Sequence, residues 1–313
     1  MGNQRGRIPR PRLAVGLGPL LGIRCEADAR MLARILTGVI LIPVVVALVW
    51  WGPPGLVTAC AAGVAMLAML EFFDLGERMG LHAFRYWTFA GAAGIFYAQY
   101  SAGLVETHKF AGGSIIRGTG PEISIDAVLL IFIFGTAAIG LGTRRPLHDI
   151  LPAMAASSAG LLFVALPFSY IIRTNEIERV GRRLVLFTLC LMWAGDTFAY
   201  FAGKAFGRLP MAPALSPKKT WEGAFANLLG SLLVGIAFAR WMQVDAMTML
   251  IIAALANVAG QVGDLIKSAY KRGAAVKDSG SLLPGHGGVL DRIDSLILAS
   301  PVVWAAWQWF SAR

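Results

Sequence analysis

The chain has 313 residues, of which 57% are hydrophobic and 15% charged, against roughly 25% charged in soluble domains; this excludes an ordinary soluble globule. Its apolar residues fall in long uncharged runs, and about 18 such residues cross the hydrocarbon core as a helix. The net charge of +10 sits at helix ends and in connecting loops without interleaved aromatics. It therefore points to anionic headgroups, phosphate ligands and topology signals, with no nucleic acid expected as a partner.

Residues 1–30 differ from the rest. Arg5, Arg7, Arg10, Arg12, Arg24 and Arg30 alternate with Pro9, Pro11 and Pro19, the composition of a basic, disordered extension. The opening Met-Gly-Asn-Gln-Arg-Gly lacks the Ser or Thr of a myristoylation site, and no clear cleavage signal follows the first apolar run. Met31 stands directly before Leu-Ala-Arg and the first span, and is an equally good start.

Nine spans are expected, at 35–51, 56–72, 87–105, 125–142, 150–172, 184–205, 223–240, 247–266 and 293–310. The predicted fold is all-α, a polytopic bundle with about nine transmembrane helices, since lipid leaves the backbone no alternative except a closed barrel. The expected organisation is an extension (1–30), N-terminal transmembrane helices (31–180) and a C-terminal transmembrane catalytic region (181–313). The third run is Gly/Ala-rich and the fifth is interrupted by Ser and Pro. No internal repeat is visible, which argues against an inverted-repeat transporter. Cys25, Cys60 and Cys190 are scattered and unpaired in pattern, so neither a disulfide framework nor a zinc site is expected.

With the N-terminus inside, 20 of the 28 Lys and Arg residues fall on the inner side, as the positive-inside rule requires. Arg173, Arg179, Arg182 and Arg183 run against it locally. The two most polar connections, 204–222 and 264–294, then both face the cytoplasm, where nucleotides are available.

The sixth span holds Asp196 within Trp-Ala-Gly-Asp-Thr-Phe-Ala-Tyr. A carboxylate there costs on the order of 2.5–3.5 kcal/mol on insertion scales, so a metal or substrate role is expected. Asp196, Tyr200, Gly203 and Gly207 follow helical spacing and share one face. Next comes Ser216-Pro-Lys-Lys-Thr-Trp-Glu. Pro217 suits a turn or a first helical position, so Lys218 to Glu222 are expected to open the seventh helix. Its free N–H groups, with Lys218, Lys219, Ser216 and Thr220, suit phosphate.

The densest element runs Gly263-Asp-Leu-Ile-Lys-Ser-Ala-Tyr-Lys-Arg, then Lys277-Asp-Ser-Gly, Pro284-Gly-His-Gly-Gly and Asp291-Arg-Ile-Asp. On a helix, Asp264, Ser268 and Lys271 fall on one stripe, and Asp291 and Asp294 lie one turn apart. Carboxylates from separate helix ends suit Mg²⁺, whose shell substrate phosphates and water complete. Lys271, Arg272, Lys277 and Arg292 suit phosphate oxygens. Asp278 sits among them, and Gly287 and Gly288 beside His286 admit close approach of a ligand to the backbone. For His286, packing or a hydrogen bond competes with a chemical role.

The segment from Ser268 to Asp294 resembles the diagnostic motif of the phosphatidate cytidylyltransferases, or CDP-diacylglycerol synthases. Asp196 to Glu222, with Ser-Pro-x-Lys-Thr-Trp, resembles that family's upstream block. The resemblance covers about the last 120 residues; the first five spans match in character only. It implies a helical, commonly homodimeric enzyme of the bacterial inner membrane, multi-pass, its active site facing the cytoplasm. It further implies dependence on a divalent metal (Mg²⁺, with room for a second cation) and the use of CTP and of phosphatidate from the inner leaflet. Carried over by position, the metal candidates are Asp264, Asp291 and Asp294, then Asp196. The substrate candidates are Ser216, Lys218, Lys219, Lys271, Arg272, Lys277 and Arg292. Two positions depart from the family pattern. Lys267 stands where an acidic residue is often found, removing a metal ligand and adding a cation. Tyr270 replaces an aliphatic residue or Phe. Competing expectations are a CTP-dependent lipid kinase and a transporter of an anionic solute.

Overall fold

The computed structural model describes residues 38–110, 123–280, 282 and 287–312; the basic extension, Met31 and His286 lie outside the described residues. The chain begins with α1 (Gly38–Trp51). Pro54 opens α2 (Pro54–Arg78), where its missing N–H is no loss, and Arg78 closes it, in keeping with the helix dipole. After α3 (Arg85–Phe110), Ser124 caps α4 (Ile125–Gly142) by accepting the Ala127 N–H at 3.1 Å. The predicted fifth span is one continuous helical rod of 29 residues, Leu147–Asn175. Within it, α5 (Leu147–Gly160) widens into a π-helical turn (Leu161–Ala165) before α6 (Leu166–Asn175). Pro167 has no N–H for a regular helical bond, and the widened turn just ahead of it absorbs that gap.

The C-terminal half contains α7 (Gly181–Phe206), α8 (Trp221–Met242), α9 (Ala246–Gly273) and α10 (Leu290–Ser311). Between α7 and α8 lies a two-stranded antiparallel sheet, β1 (Pro210–Ala212) and β2 (Ser216–Thr220), with Pro210 opposite Thr220 and Ala212 opposite Ser216. The fold is all-α apart from this short hairpin, and one expectation is corrected: Lys218 and Lys219 lie on a strand, outside the first turn of a helix. The physical reason is local hydrogen bonding. The Trp221 N–H reaches the Leu209 carbonyl at 3.0 Å, and the Glu222 carboxylate accepts the Leu209 N–H at 3.2 Å. Thr220, extended at φ −123 and ψ 155, is the N-cap of α8 and accepts the Gly223 N–H at 3.2 Å.

Six helices among the described residues are long and apolar enough to cross a membrane: α2, α4, the α5–α6 rod, α7, α8 and α9. α10 carries Asp291, Arg292 and Asp294 in its first turns, which dilutes its hydropathy. The closest packing is α7 on α8, α9 on α10 and α8 on α9, and α10 also lies against α6. Fully buried Met69, Phe73, Leu161, Ile172, Phe187, Leu191, Met249 and Ile252 knit these helices together. Ile131 and Phe134 of α4, and Leu229 and Leu233 of α8, are exposed, as lipid-facing surfaces require.

Side-chain contacts gather four connections at one end of the bundle. Arg145, after α4, donates to the His82 carbonyl, between α2 and α3. Arg272, at the end of α9, donates to the Leu215 carbonyl at 3.0 Å, between β1 and β2. Gly273 abuts Met79. At the other end Trp50 stacks on Trp241, and Arg182 donates to the Trp50 carbonyl at 2.8 Å.

Candidate active site

The site grows from the last three turns of α9 and the first two of α10. Glycine allows these helices to approach, since a Cβ on Gly263 would fall 2.5 Å from the Asp294 carbonyl oxygen. Asp264, Asp291 and Asp294 consequently converge on one ammonium, that of Lys267, which is 8% exposed. Its Nζ lies 3.2 Å from Asp264 and 3.4 Å from Asp291, and it pairs most closely with Asp294. Lys271 adds a second cation to Asp291 at 2.7 Å, and Lys219 of β2 pairs with Asp264. Three carboxylates are thus balanced by three lysines. The predicted α9 stripe holds, with Asp264 and Lys271 turned to the same cluster, while the Ser268 hydroxyl donates back to the Asp264 carbonyl at 2.8 Å.

The Asp264–Lys267 turn separates two cavities. On one side lies a polar cavity of about 250 Å³, lined by Asp196, Tyr200, Gly203, Lys218, Lys219, Thr220, Asn227, Gln261 and Asp264 among others. Asp196, Tyr200 and Gly203 of the predicted α7 face line this cavity while Gly207, the C-cap, does not, and Asp196 accepts a hydrogen bond from the Asn227 amide at 3.3 Å. On the other side is a small cleft of about 30 Å³ with mostly apolar walls. Phe72, Phe163, Val164, Tyr270, Leu290, Ile297 and Leu298 form them, and Lys267 and Asp294 stand at its polar edge. A cationic rim on the polar side suits phosphate oxygens; the walls on the other side are apolar and the space between them is only about 30 Å³.

The remaining predicted residues divide. Ser216 begins β2 opposite Ala212 and is not among the residues lining the polar cavity. Arg272 spends its guanidinium on the carbonyls of Leu215 and Val276, at 3.0 and 3.4 Å, and so ties the hairpin to the loop after α9. Lys277, Asp278 and Arg292 are exposed. Gly287 adopts φ +77, a conformation that favours glycine, and Gly288 donates its N–H to Asp291 at 3.4 Å. His286 lies outside the described residues.

Two features escaped the sequence reading. The first is a chain of amides inside the bundle. Asn257 donates to Asn227 and, at 2.7 Å, to Ser231, while Gln261 donates to Asn257 at 2.7 Å. Asn257 and Gln261 at helical spacing within an apolar run were the available signal. The second is Glu71 of α2, 7% exposed, which accepts hydrogen bonds from Ser279, Val289 and Leu290. Its position inside a predicted span was the signal.

Four candidate metal ligands differ in their surroundings. Among the described residues no group of three or more His, Cys, Asp or Glu side chains is arranged to hold an ion, since Lys267 stands between Asp264, Asp291 and Asp294. Mg²⁺, however, ordinarily takes one or two carboxylates and completes its shell with phosphate and water. Asp196 and Asp264 line the same polar cavity and are the pair that would hold it, Asp264 giving up its pairing with Lys219 or Lys267.

A family model described as the cytidylyltransferase family matches residues 32–310. The chain is 32% identical to the phosphatidate cytidylyltransferase of Haemophilus influenzae over 287 residues, covering 86% of this chain and 95% of that one. It is 33% identical to the phosphatidate cytidylyltransferase of Bacillus subtilis over 192 residues, 61% of this chain and 69% of that one. It is also 47% identical over 130 residues to the chloroplastic phosphatidate cytidylyltransferase 5 of Arabidopsis thaliana, a match that spans 40% of this chain and 32% of the plant protein.

Proposed function

We infer, since the chain belongs to the cytidylyltransferase family, that it is a membrane-embedded phosphatidate cytidylyltransferase converting CTP and phosphatidate into CDP-diacylglycerol and pyrophosphate. The observation that carries this reading is the pair of cavities of opposite character meeting at Asp264 and Lys267. The polar cavity takes the triphosphate, with Lys218, Lys219 and Thr220 toward its oxygens. The small apolar cleft marks the side from which the lipid approaches, its acyl chains staying in the bilayer.

A phosphate oxygen of phosphatidate attacks the α-phosphorus of CTP. The bond from that phosphorus to the oxygen bridging it to the β-phosphorus breaks, and pyrophosphate leaves. No general base is needed, because a phosphomonoester is already anionic at neutral pH. The protein's task is to bring two anions together and to neutralise charge, which is where most of the rate arises in phosphoryl chemistry. Lys219 and Lys267 stand on either side of Asp264 and lower the repulsion between the two substrates. Asp264 and Asp196 are the residues that would hold Mg²⁺, which would supply further charge neutralisation. Asp291 and Asp294 hold Lys271 and Lys267 in place; Lys271, Arg272, Lys277 and Arg292 complete the basic surroundings.

The finer topology belongs to the same reading. We propose nine spans, adding α1, α3 and α10 to the six, in a bacterial inner membrane. The N-terminus and the site-bearing end face the cytoplasm, and phosphatidate enters from the inner leaflet. The arrangement of cations and the gathering of four connections at one end support it. A homodimer rests on the family resemblance.

The test is CTP labelled at the α- or the γ-phosphate, supplied to the purified protein with phosphatidate. The expected result is α label in the lipid fraction, with γ label left in water as pyrophosphate. Lipid carrying γ label alone would assign a kinase. Label absent from the lipid fraction with every acceptor would remove the enzyme reading and leave transport.

A further inference from the structure

We propose that Glu71, on α2 and far in sequence from every motif, is a positioning residue for this site: it anchors Ser279 and the start of α10, which carries Asp291, and thereby sets the two lysines that Asp291 holds. The proposal rests on the cytidylyltransferase reading.

Glu71 lies in the stretch Met-Leu-Glu-Phe-Phe of an apolar helix. A carboxylate buried in the protein interior, 7% exposed, is expensive unless it is paired. Its partners come from 208 to 219 positions away in sequence. Oε1 accepts the Val289 N–H at 2.8 Å, and Oε2 accepts the Leu290 N–H at 2.9 Å and the Ser279 hydroxyl at 2.8 Å. Val289, the N-cap of α10, provides no side-chain cap of its own. Glu71 does that work from another helix, with its negative charge at the positive end of the α10 dipole.

The loop is shaped to receive it. A Cβ on Gly280 would fall 2.6 Å from a Glu71 carboxylate oxygen, and one on Gly288 would fall 2.2 Å from the other. Glycine at both positions is therefore a consequence of the buried carboxylate.

The connection to chemistry runs through Ser279. Its hydroxyl lies 2.8 Å from Glu71 and 3.0 Å from Asp291, and its N–H donates to Asp291 at 2.9 Å. The other oxygen of Asp291 carries Lys271 at 2.7 Å and faces Lys267 at 3.4 Å. Asp291 is thus gripped on one oxygen by the loop that Glu71 anchors, and on the other it orients two cations. Residues at this remove from the reacting atoms typically change activity roughly 10–100-fold when lost.

The test uses Glu71→Gln, Ser279→Ala and the double variant in the full-length protein. Transfer of α label from CTP to phosphatidate is measured beside wild type, with monodispersity in detergent as the folding control. Each single variant should lower kcat roughly 10–100-fold with KM for CTP within about twofold. The double variant should fall no further than the worse single one, because both act through one path. Additive losses, a loss confined to KM, or wild-type kcat in well-folded Ser279→Ala would overturn the proposal. Should Glu71→Gln fail to fold, Ser279→Ala alone decides, as it leaves the Glu71 bonds to α10 intact. Failure of wild type itself to transfer label overturns the enzyme reading and this proposal with it; normal transfer by wild type and variants alike overturns this proposal only.

Discussion

Replacing Lys267 by Met removes the cation at the centre of the site while keeping most of its volume. The structure sets the scale. Lys267 is buried, with carboxylates at 3.2 and 3.4 Å and a third closer still. At such separations and an effective dielectric of about 20, each pair attracts by on the order of 5 kcal/mol. Desolvation offsets much of that, and removing one partner of a buried ion pair costs about 3–5 kcal/mol. Three carboxylates would then share Lys219 and Lys271. Thermal unfolding in detergent, followed by monodispersity after heating, should show a midpoint lowered by on the order of 10 °C. Adding Asp294→Asn to Lys267→Met should recover part of the loss, because it removes the carboxylate nearest the missing ammonium. Melting of Lys267→Met together with wild type, or a still lower midpoint after the second substitution, would contradict this role for Lys267.

Asp264→Asn, Asp291→Asn and Asp294→Asn should each abolish most transfer of label while leaving the protein inserted and extractable; near-normal activity of all three at saturating Mg²⁺ would dismiss their assignment. Away from the site, burial pushes the Glu176 carboxyl above its usual range, opposed by a hydrogen bond from Asn175 and by the charge of Arg182, and one of its oxygens is buried without a partner. A raised folded value means that stability is full while the group is protonated and falls as pH rises through that value. Glu176→Gln should therefore match wild type in melting near pH 4 and exceed it at pH 8, and equal midpoints at both would contradict this.

Much of the bundle was legible because its signals are local. Hydropathy placed the runs that became α2, α4, α7, α8 and α9, and helical spacing put Asp196 and Tyr200 on the face that lines the polar cavity. The hairpin was not legible. β1 and β2 contain three and five residues, and Ser-Pro-Lys-Lys-Thr has no apolar alternation by which a strand announces itself. Pro217 favoured a helix start there, yet Thr220 caps the helix instead. The Leu209 and Trp221 amides find their partners across the hairpin. For the carboxylates, spacing correctly put Asp291 and Asp294 one turn apart, but nothing local said that an ammonium would stand between them and Asp264.

Read as a string of residues, the chain already shows a helical membrane protein, the places where charges interrupt its apolar runs, and the family its C-terminal motif resembles. These are properties of composition, periodicity and order along the chain. It took packing in three dimensions to set Lys267 among three carboxylates, to bring Lys219 of a strand to Asp264, and to place Glu71 of α2 at the start of α10. Helical periodicity specifies which residues share a face but not which helix lies opposite. That choice is made by packing, where glycines such as Gly263 and Gly288 permit backbones and carboxylates from distant segments to meet.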